Sequence, residues 1–207
     1  MLSVRWAAGT DTGRQRPANE DSFYCCQRLF AVADGMGGHA AGEQASRLAL
    51  AAIAPVAEAP ITVDGLAEAI ARANHDILQA GRQRPDWFGL GTTVTGIAVV
   101  EVAGRDHWGV FNVGDSRSYR FADGALSQLT VDHSAVQEML TAGLISPAEA
   151  RSHPQRNVVT RYLGSQPAPR PDIAVYEPVP GERFLICSDG LTNELVDAEL
   201  AQVFTAY

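Results

Sequence analysis

The sequence predicts an α+β domain rather than a doubly wound one. Two helical stripes lie close together in the first half of the chain, and strand-like segments dominate the second half without regular β-α alternation. The pair Asp123-Gly124, flanked by two apolar segments, adds the strongest short hairpin signal.

In chain order, residues 4–8 and the continuous apolar run 29–33 read as strands. Ala45, Leu48, Ala49, Ala52, Ile53 and Val56 then fall at the i, i+3, i+4, i+7 spacing of one helix face. A second helix starts at Thr62, a good cap, and carries Leu66, Ile70, Ala73 and Ile77 on one stripe. Residues 94–102 and 108–113 are rich in β-branched and aromatic types. Strands 118–121 and 125–129 flank the Asp-Gly turn, and 135–142 reads as a short helix. Ser146-Pro147-Ala148-Glu149 has the form of a capping box with Pro at the first helical position. A strand over 184–188 and a helix over 197–204 complete the pattern.

A chain of 207 residues, 46% hydrophobic and 19% charged, can bury one sizeable core, and no repeat or low-complexity linker divides it. The net charge of −8 argues against a nucleic-acid partner, whose footprint would be basic. All 16 basic residues are Arg, which excludes Schiff bases and every phosphate-binding motif that needs a Lys. Cys25, Cys26 and Cys187 have no zinc or disulfide spacing and fit a reduced compartment. The N-terminus lacks a cationic region followed by an apolar stretch, and the run 48–57 falls short of the roughly 20 residues a membrane span needs. A soluble, cytoplasmic protein without a membrane span is expected.

Three apolar strands run into an acidic residue: at Asp34-Gly35, at Asp189-Gly190 and at Asp115 after Gly114. A lone Asp in such a place is a turn residue. Three of them, with the cluster Asn19-Glu20-Asp21-Ser22, suggest carboxylates converging at one rim of a sheet sandwich. Carboxylates that close cannot all ionise without a cation, and an all-oxygen set suits magnesium or manganese. Gly35 and Gly190 would let the backbone turn sharply, with Gly37-Gly38 keeping the entrance open.

Six blocks occur in order: residues 16–22 (RPANEDS), 33–39 (ADGMGGH), 91–93 (GTT), 112–117 (NVGDSR), 156–161 (RNVVTR) and 187–191 (CSDGL). Together they resemble the successive motifs of the metal-dependent protein phosphatases of the 2C type, in compact bacterial form, over residues 3–195. The resemblance implies a two-sheet β-sandwich flanked by helices, α-β-β-α, with a binuclear Mn2+ or Mg2+ centre at one end. By the same resemblance Asp34 would bridge both ions, Gly35 would bind through its carbonyl and Asp189 would bind one ion. Glu20 would lie by the other ion, directly or through water, with Asp21 supporting it. Asp115 with Asp189 would form a third, weaker site, and Arg16 would hold the substrate phosphate, a task suited to its fork of donors.

The implied reaction is hydrolysis of phosphoserine and phosphothreonine in proteins, opposing a bacterial protein kinase whose substrates would be the partners. Two divalent cations would lower the pKa of a bridging water, which attacks phosphorus in line, with Arg16 and Asp34 the catalytic pair. No covalent intermediate is required, and Cys187 reads as core. Met36 stands where eukaryotic members place a His; His39 is close but at another offset, and His133 reads as fixing a loop. Arg117, Arg156 and Arg161 read as surface charges. Residues 141–157 resemble the variable flap beside the active site, with Arg156 and Asn157 as its anchors.

The family pattern continues into another helix and a strand carrying an Asp-Asn pair, whose Asp is a metal ligand; this sequence holds no Asp-Asn dipeptide. One sheet would then lose an inner strand and expose an edge. The alternative function is therefore a catalytically impaired regulatory or phosphoprotein-binding domain, and a third is a phosphoesterase for small molecules.

Overall fold

The structure, a computed structural model, describes residues 2–14, 16–38, 40–87 and 89–206. A period of two in the central strands sets the layers. In β4 (Val94–Val102), Val94, Ala98 and Val100 face one way and Ile97 and Val99 the other. In β5 (Arg105–Val113), Phe111 and Val113 take the first side, Trp108 and Val110 the second. Both faces of this sheet are apolar, so it must be covered on both.

The larger sheet runs β1 (Asp21–Cys25), β2 (Leu29–Met36), β4, β5 and β8 (Asp172–Tyr176), all antiparallel, with β3 (Gly91–Thr92) pairing the end of β2. Its first face is covered by α1 (Ala40–Ile53) and α2 (Val63–Gln83). Thr62 caps α2 by accepting from the Gly65 N–H, and Leu66, Ile70, Ala73 and Ile77 are wholly buried as the stripe requires. Burial of each large aliphatic is worth about 1.5–3 kcal/mol.

The second face meets the smaller sheet, β7 (Ala125–Gln128), β6 (Arg117–Ala122) and β9 (Arg183–Cys187). Phe184 and Ile186 of β9 pack on Ile97, Val99, Trp108 and Val110, with the Trp108 and Phe184 rings edge to face at 5.2 Å. The outer side of this sheet carries α6 (Asp197–Ala206), where Leu200 joins Tyr119 and Cys187. The layers are thus α-β-β-α. The β6–β7 turn has positive φ at Asp123 and Gly124, 52° and 78°, the hairpin geometry expected of Asp-Gly.

A buried ion pair also ties the sheets. Glu182, 4% exposed at its side chain, accepts from Trp108 Nε1 at 2.6 Å and from the Val179 N–H at 2.7 Å. Its other oxygen lies 2.6 Å from Arg120 Nε, on β6.

Several expectations change. Residues 4–8 form no strand: Leu2 and Val4 pack between the sheets and Trp6 meets Phe30 edge-on at 5.5 Å, but no ladder pairs them. Apolar alternation there reports burial, whereas a strand also needs a neighbouring edge in register. The strand expected to end at Ala33 runs on through Asp34 and Gly35 to Met36. Strands β1 and β8 were not expected: both are edge strands of five residues, each carrying Asp and a face open to solvent. Arg117 is not a surface charge but holds Asp132 with three donor contacts of 2.6–3.0 Å. The three cysteines are free thiols, and among the described residues no helix is long and apolar enough to cross a membrane.

Candidate active site

Four segments end at one rim of the sandwich. Asp21 opens β1 and stands directly opposite Asp34 in β2, so two carboxylates share one face of an antiparallel pair. Like charges so placed repel, and a sheet keeps them there only at a cost. Asp189 follows β9 as the first residue of α5 (Asp189–Thr192), and Asp115 lies in the β5–β6 turn. Ser188 Oγ donates to Asp21 Oδ2 at 2.7 Å, joining the ends of β1 and β9.

The electrostatics register this crowding. Burial first, then the charges of Asp21, Asp189 and Asp115, push the Asp34 carboxyl up to about 9. Its carboxyl stands close enough to those of Asp21 and Asp189 for each to act on its titration. Asp115 is pushed up to about 7, by burial first and then by Asp189 and Asp132, with Arg117 opposing. Asp21 is raised by burial and by Asp189, against hydrogen bonds from Ser188 and Asp34 and the more weakly felt charge of Arg16.

The other expected residues take varied places around this group. Arg16 is exposed ahead of β1, and its field reaches Asp21. Glu20 contributes its carbonyl to the local frame, accepting from the Gly35 N–H at 3.2 Å and from Ser46 Oγ at 2.7 Å. Its carboxylate lies against Gly42, where a Cβ would come within 2.6 Å of Oε2. Gly35 makes no sharp turn. It stays in the ladder opposite Thr92, and a Cβ there would fall 2.0 Å from the Gly42 oxygen and 2.7 Å from that of Glu20. Glycine is needed for close approach of two backbones, and Gly37 and Gly38, with φ of 125° and 82°, make the turn. Gly190 lies exposed on α5 and makes no turn of its own, its nearest neighbour for a Cβ being Ser188 Oγ at 3.8 Å. His39 lies outside the described residues.

Further residues orient the set. Thr93 Oγ1 accepts the Asp34 N–H at 3.1 Å, and Thr92 Oγ1 donates to the Asp34 carbonyl at 2.8 Å. Asn19 Oδ1 accepts the Asp21 N–H at 3.0 Å. Asn193, one helical turn after Asp189, donates to its Oδ2 at 3.1 Å. Asn193 and Ser188 were missed; only their spacing from Asp189 could have flagged them. Burial pushes the Cys187 thiol up to about 12, far from a thiolate nucleophile.

Beside the rim, α3 (Ala135–Thr141) and α4 (Pro147–Ser152) form a helical excursion. Ser134 caps α3, and the Ser146–Glu149 capping box forms as its sequence requires. Main-chain bonds close the base, Ala135 N–H to the Val158 carbonyl at 2.9 Å and Thr160 N–H to that of His133 at 2.8 Å. They do the anchoring expected of the Arg156 and Asn157 side chains. Arg161 is exposed, as a surface charge should be, and pairs with Asp172 at 3.2 Å.

The donor set fits divalent cations. It is all oxygen, it is half-buried, and Asp34, pushed up to about 9, lacks nearby positive charge. Arg117, the cation acting on Asp115, is already engaged by Asp132. Among the described residues no three acidic, His or Cys side chains already close on a single point.

Comparison with known proteins agrees with this architecture. The family described as Protein phosphatase 2C matches residues 9–207. The serine/threonine protein phosphatase PstP of Mycobacterium tuberculosis is 42% identical over 204 residues; the match takes in 97% of this chain, which spans 39% of the length of that relative. A crystal structure of the M. tuberculosis phosphatase superposes with a TM-score of 0.88 at 40% identity, covering 96% of this chain and 83% of that one. The catalytic domain of PstP solved in complex with two manganese ions gives 0.87 at 38% identity, covering 97% and 84%. Fold, rim of carboxylates and sequence all agree: the chain belongs to the protein phosphatase 2C family.

Proposed function

We propose that the chain hydrolyses phosphoserine and phosphothreonine in proteins, using Mn2+ or Mg2+ held at the sandwich rim. The observation that carries this reading is the cross-strand pair Asp21–Asp34, half-buried beside Asp189 and Asp115, with the Asp34 carboxyl pushed up to about 9. Asp34 and Asp189 would hold two ions, with the Gly35 carbonyl and Glu20 completing their oxygen set and Asp21 supporting it. Asp115 with Asp189 would hold a third. The manganese-bound PstP domain supports two ions in a relative of the same fold.

When bound, such cations supply Lewis acidity that activates water and neutralises phosphate charge. The residues of the chain then have distinct tasks. Arg16, exposed at the rim, offers its guanidinium fork to the phosphate oxygens. Asp34 must give up its proton on loading, and Ser188 and Asn193 hold Asp21 and Asp189 in the orientation that receives the charge. No side chain need become phosphorylated. The substrates would be phosphoproteins made by an opposing protein kinase in the cytoplasm, with the flap-like segment 141–157 choosing among them. Exchange of that segment with a relative's is expected to change peptide preference.

Phosphate release from a phosphothreonine peptide, with and without Mn2+, tests the activity, with Asp34→Asn as control. Metal-dependent release that the variant lacks supports it. No release from the folded wild-type protein overturns it in favour of the regulatory alternative.

A further inference from the structure

His133 is 4% exposed and is held from three directions. Its Nδ1 accepts the Gly114 N–H at 3.1 Å, while its own backbone N–H donates to the Gly114 carbonyl at 2.9 Å. That carbonyl also takes Asn112 Nδ2 at 3.0 Å, so both polar groups of the residue before Asp115 are fixed. Gly114 has a φ of 116°, and a Cβ there would meet Thr93 Cβ at 2.5 Å, so the turn has little room to shift. Because Nδ1 accepts, the ring proton sits on Nε2, which donates to Asp172 Oδ2 at 3.0 Å. Arg161 Nη1 grips the other oxygen of Asp172 at 3.2 Å. The ring is therefore oriented on both sides, and it stands where the helical excursion joins the frame.

We propose that His133 is a positioning residue for Asp115, fixing the Gly114–Asp115 turn through Nδ1 and thereby setting the affinity of the cation site that Asp115 shares with Asp189. This rests on the metal-site reading above. Residues that orient metal ligands typically change affinity by about 10–100-fold when replaced. A histidine that only fastened a loop would affect stability and leave cation binding uniform.

Two substitutions separate these roles. His133→Asn keeps an acceptor near the place of Nδ1. His133→Gln puts its amide near Nε2 and gives up the Gly114 bond. Mn2+ is titrated calorimetrically into wild type, Asp115→Asn, both His133 variants and the Asp115→Asn/His133→Gln double variant, with thermal unfolding followed alongside. His133→Gln is expected to weaken the Asp115-dependent binding by about 10–100-fold and leave the other binding near wild type. His133→Asn should retain most of it, and the double variant should bind no worse than Asp115→Asn. Unchanged binding in His133→Gln, equal weakening of every class, failure of Asn to rescue, or no Asp115-dependent binding in wild type would each overturn the proposal. Should His133→Gln fail to fold, Asp172→Leu carries the test, since it removes the Nε2 partner that orients the ring, with Arg161→Leu as control for the Arg161 contact it also removes; unchanged binding in Asp172→Leu, or the same weakening in Arg161→Leu, overturns the proposal too. The expected binding pattern without phosphate release would overturn the proposed activity and leave the role of His133 standing.

Discussion

The hydroxyls of Thr93 and Ser116 lie 2.8 Å apart in the buried interior, and the same Thr93 oxygen accepts the N–H of Asp34 at 3.1 Å. One hydroxyl thus couples the strand that carries Asp34 to the turn that carries Asp115. Thr93→Val leaves the Asp34 amide unpaired and is expected to cost about 1–3 kcal/mol by urea denaturation. Thr93→Ser, which keeps the oxygen, should recover most of that loss. Equal stability of the Val variant and wild type would show that the bond contributes nothing.

Without cations, stability should fall as pH rises. Asp34 and Asp115 are pushed up to about 9 and about 7 in the folded state, from an ordinary value of 3.8. Between those limits the folded chain holds protons that the unfolded chain has released, so each pH increment favours unfolding. The metal-free melting temperature should decline from pH 6 to pH 9, with the share of Asp115 largely complete near pH 7. Asp34→Asn should flatten the slope, as should saturating Mn2+, which supplies the missing charge. A metal-free melting temperature that rises over this range contradicts the burial of these carboxylates.

Gly35→Ala should not be tolerated. The added methyl would stand 2.0 Å from the Gly42 oxygen, a main-chain atom that cannot swing aside. Overpacking of this kind costs about 1–3 kcal/mol or more, and here it would also part β2 from α1 beside Asp34. Thermal unfolding checks it, with Gly190→Ala as comparison. That exposed position should change melting by about 2 °C or less, since the residue meets nothing closer than 3.8 Å.

Glu182→Ala should destabilise by about 1–3 kcal/mol, because it leaves the partly buried Arg120 guanidinium without its counter-charge. It also unpairs Trp108 Nε1. Replacing both partners, Arg120→Met with Glu182→Leu, should recover part of the loss. Guanidinium denaturation of the two single variants and the double variant measures the coupling.

The legible parts of this fold were those that bury one face. Leu66, Ile70, Ala73 and Ile77 announced α2 because a helix on a sheet needs that stripe, and Thr62 marked its start. Strand β4 was legible to the residue because its two faces meet two different cores. Strands β1 and β8 were not, since an edge strand with one wet face has neither apolar continuity nor clean alternation. The site was half legible. Asp34, Asp115 and Asp189 stood out at the ends of apolar runs, but Asp34 lies within its strand because Gly35 carries the ladder onward. Ser188, Thr93 and Ser116 stood within the sequence blocks, but their contacts, like that of Asn193, were not legible, because hydroxyl and amide partners carry no periodic signal.

The base of the helical excursion, closed where Ser134 bridges Val159, bears on how such a chain can change over time. The main chain of the excursion leaves and rejoins the frame at adjoining points, where the Ala135 N–H meets the Val158 carbonyl and the Thr160 N–H that of His133. Lengthening a flexible stretch between such points is thermodynamically mild, about 0.6 kcal/mol for each doubling. The β-sandwich can therefore host loops of many lengths and chemistries while its carboxylate rim stays in register, provided the fastening at His133 and Thr160 is kept.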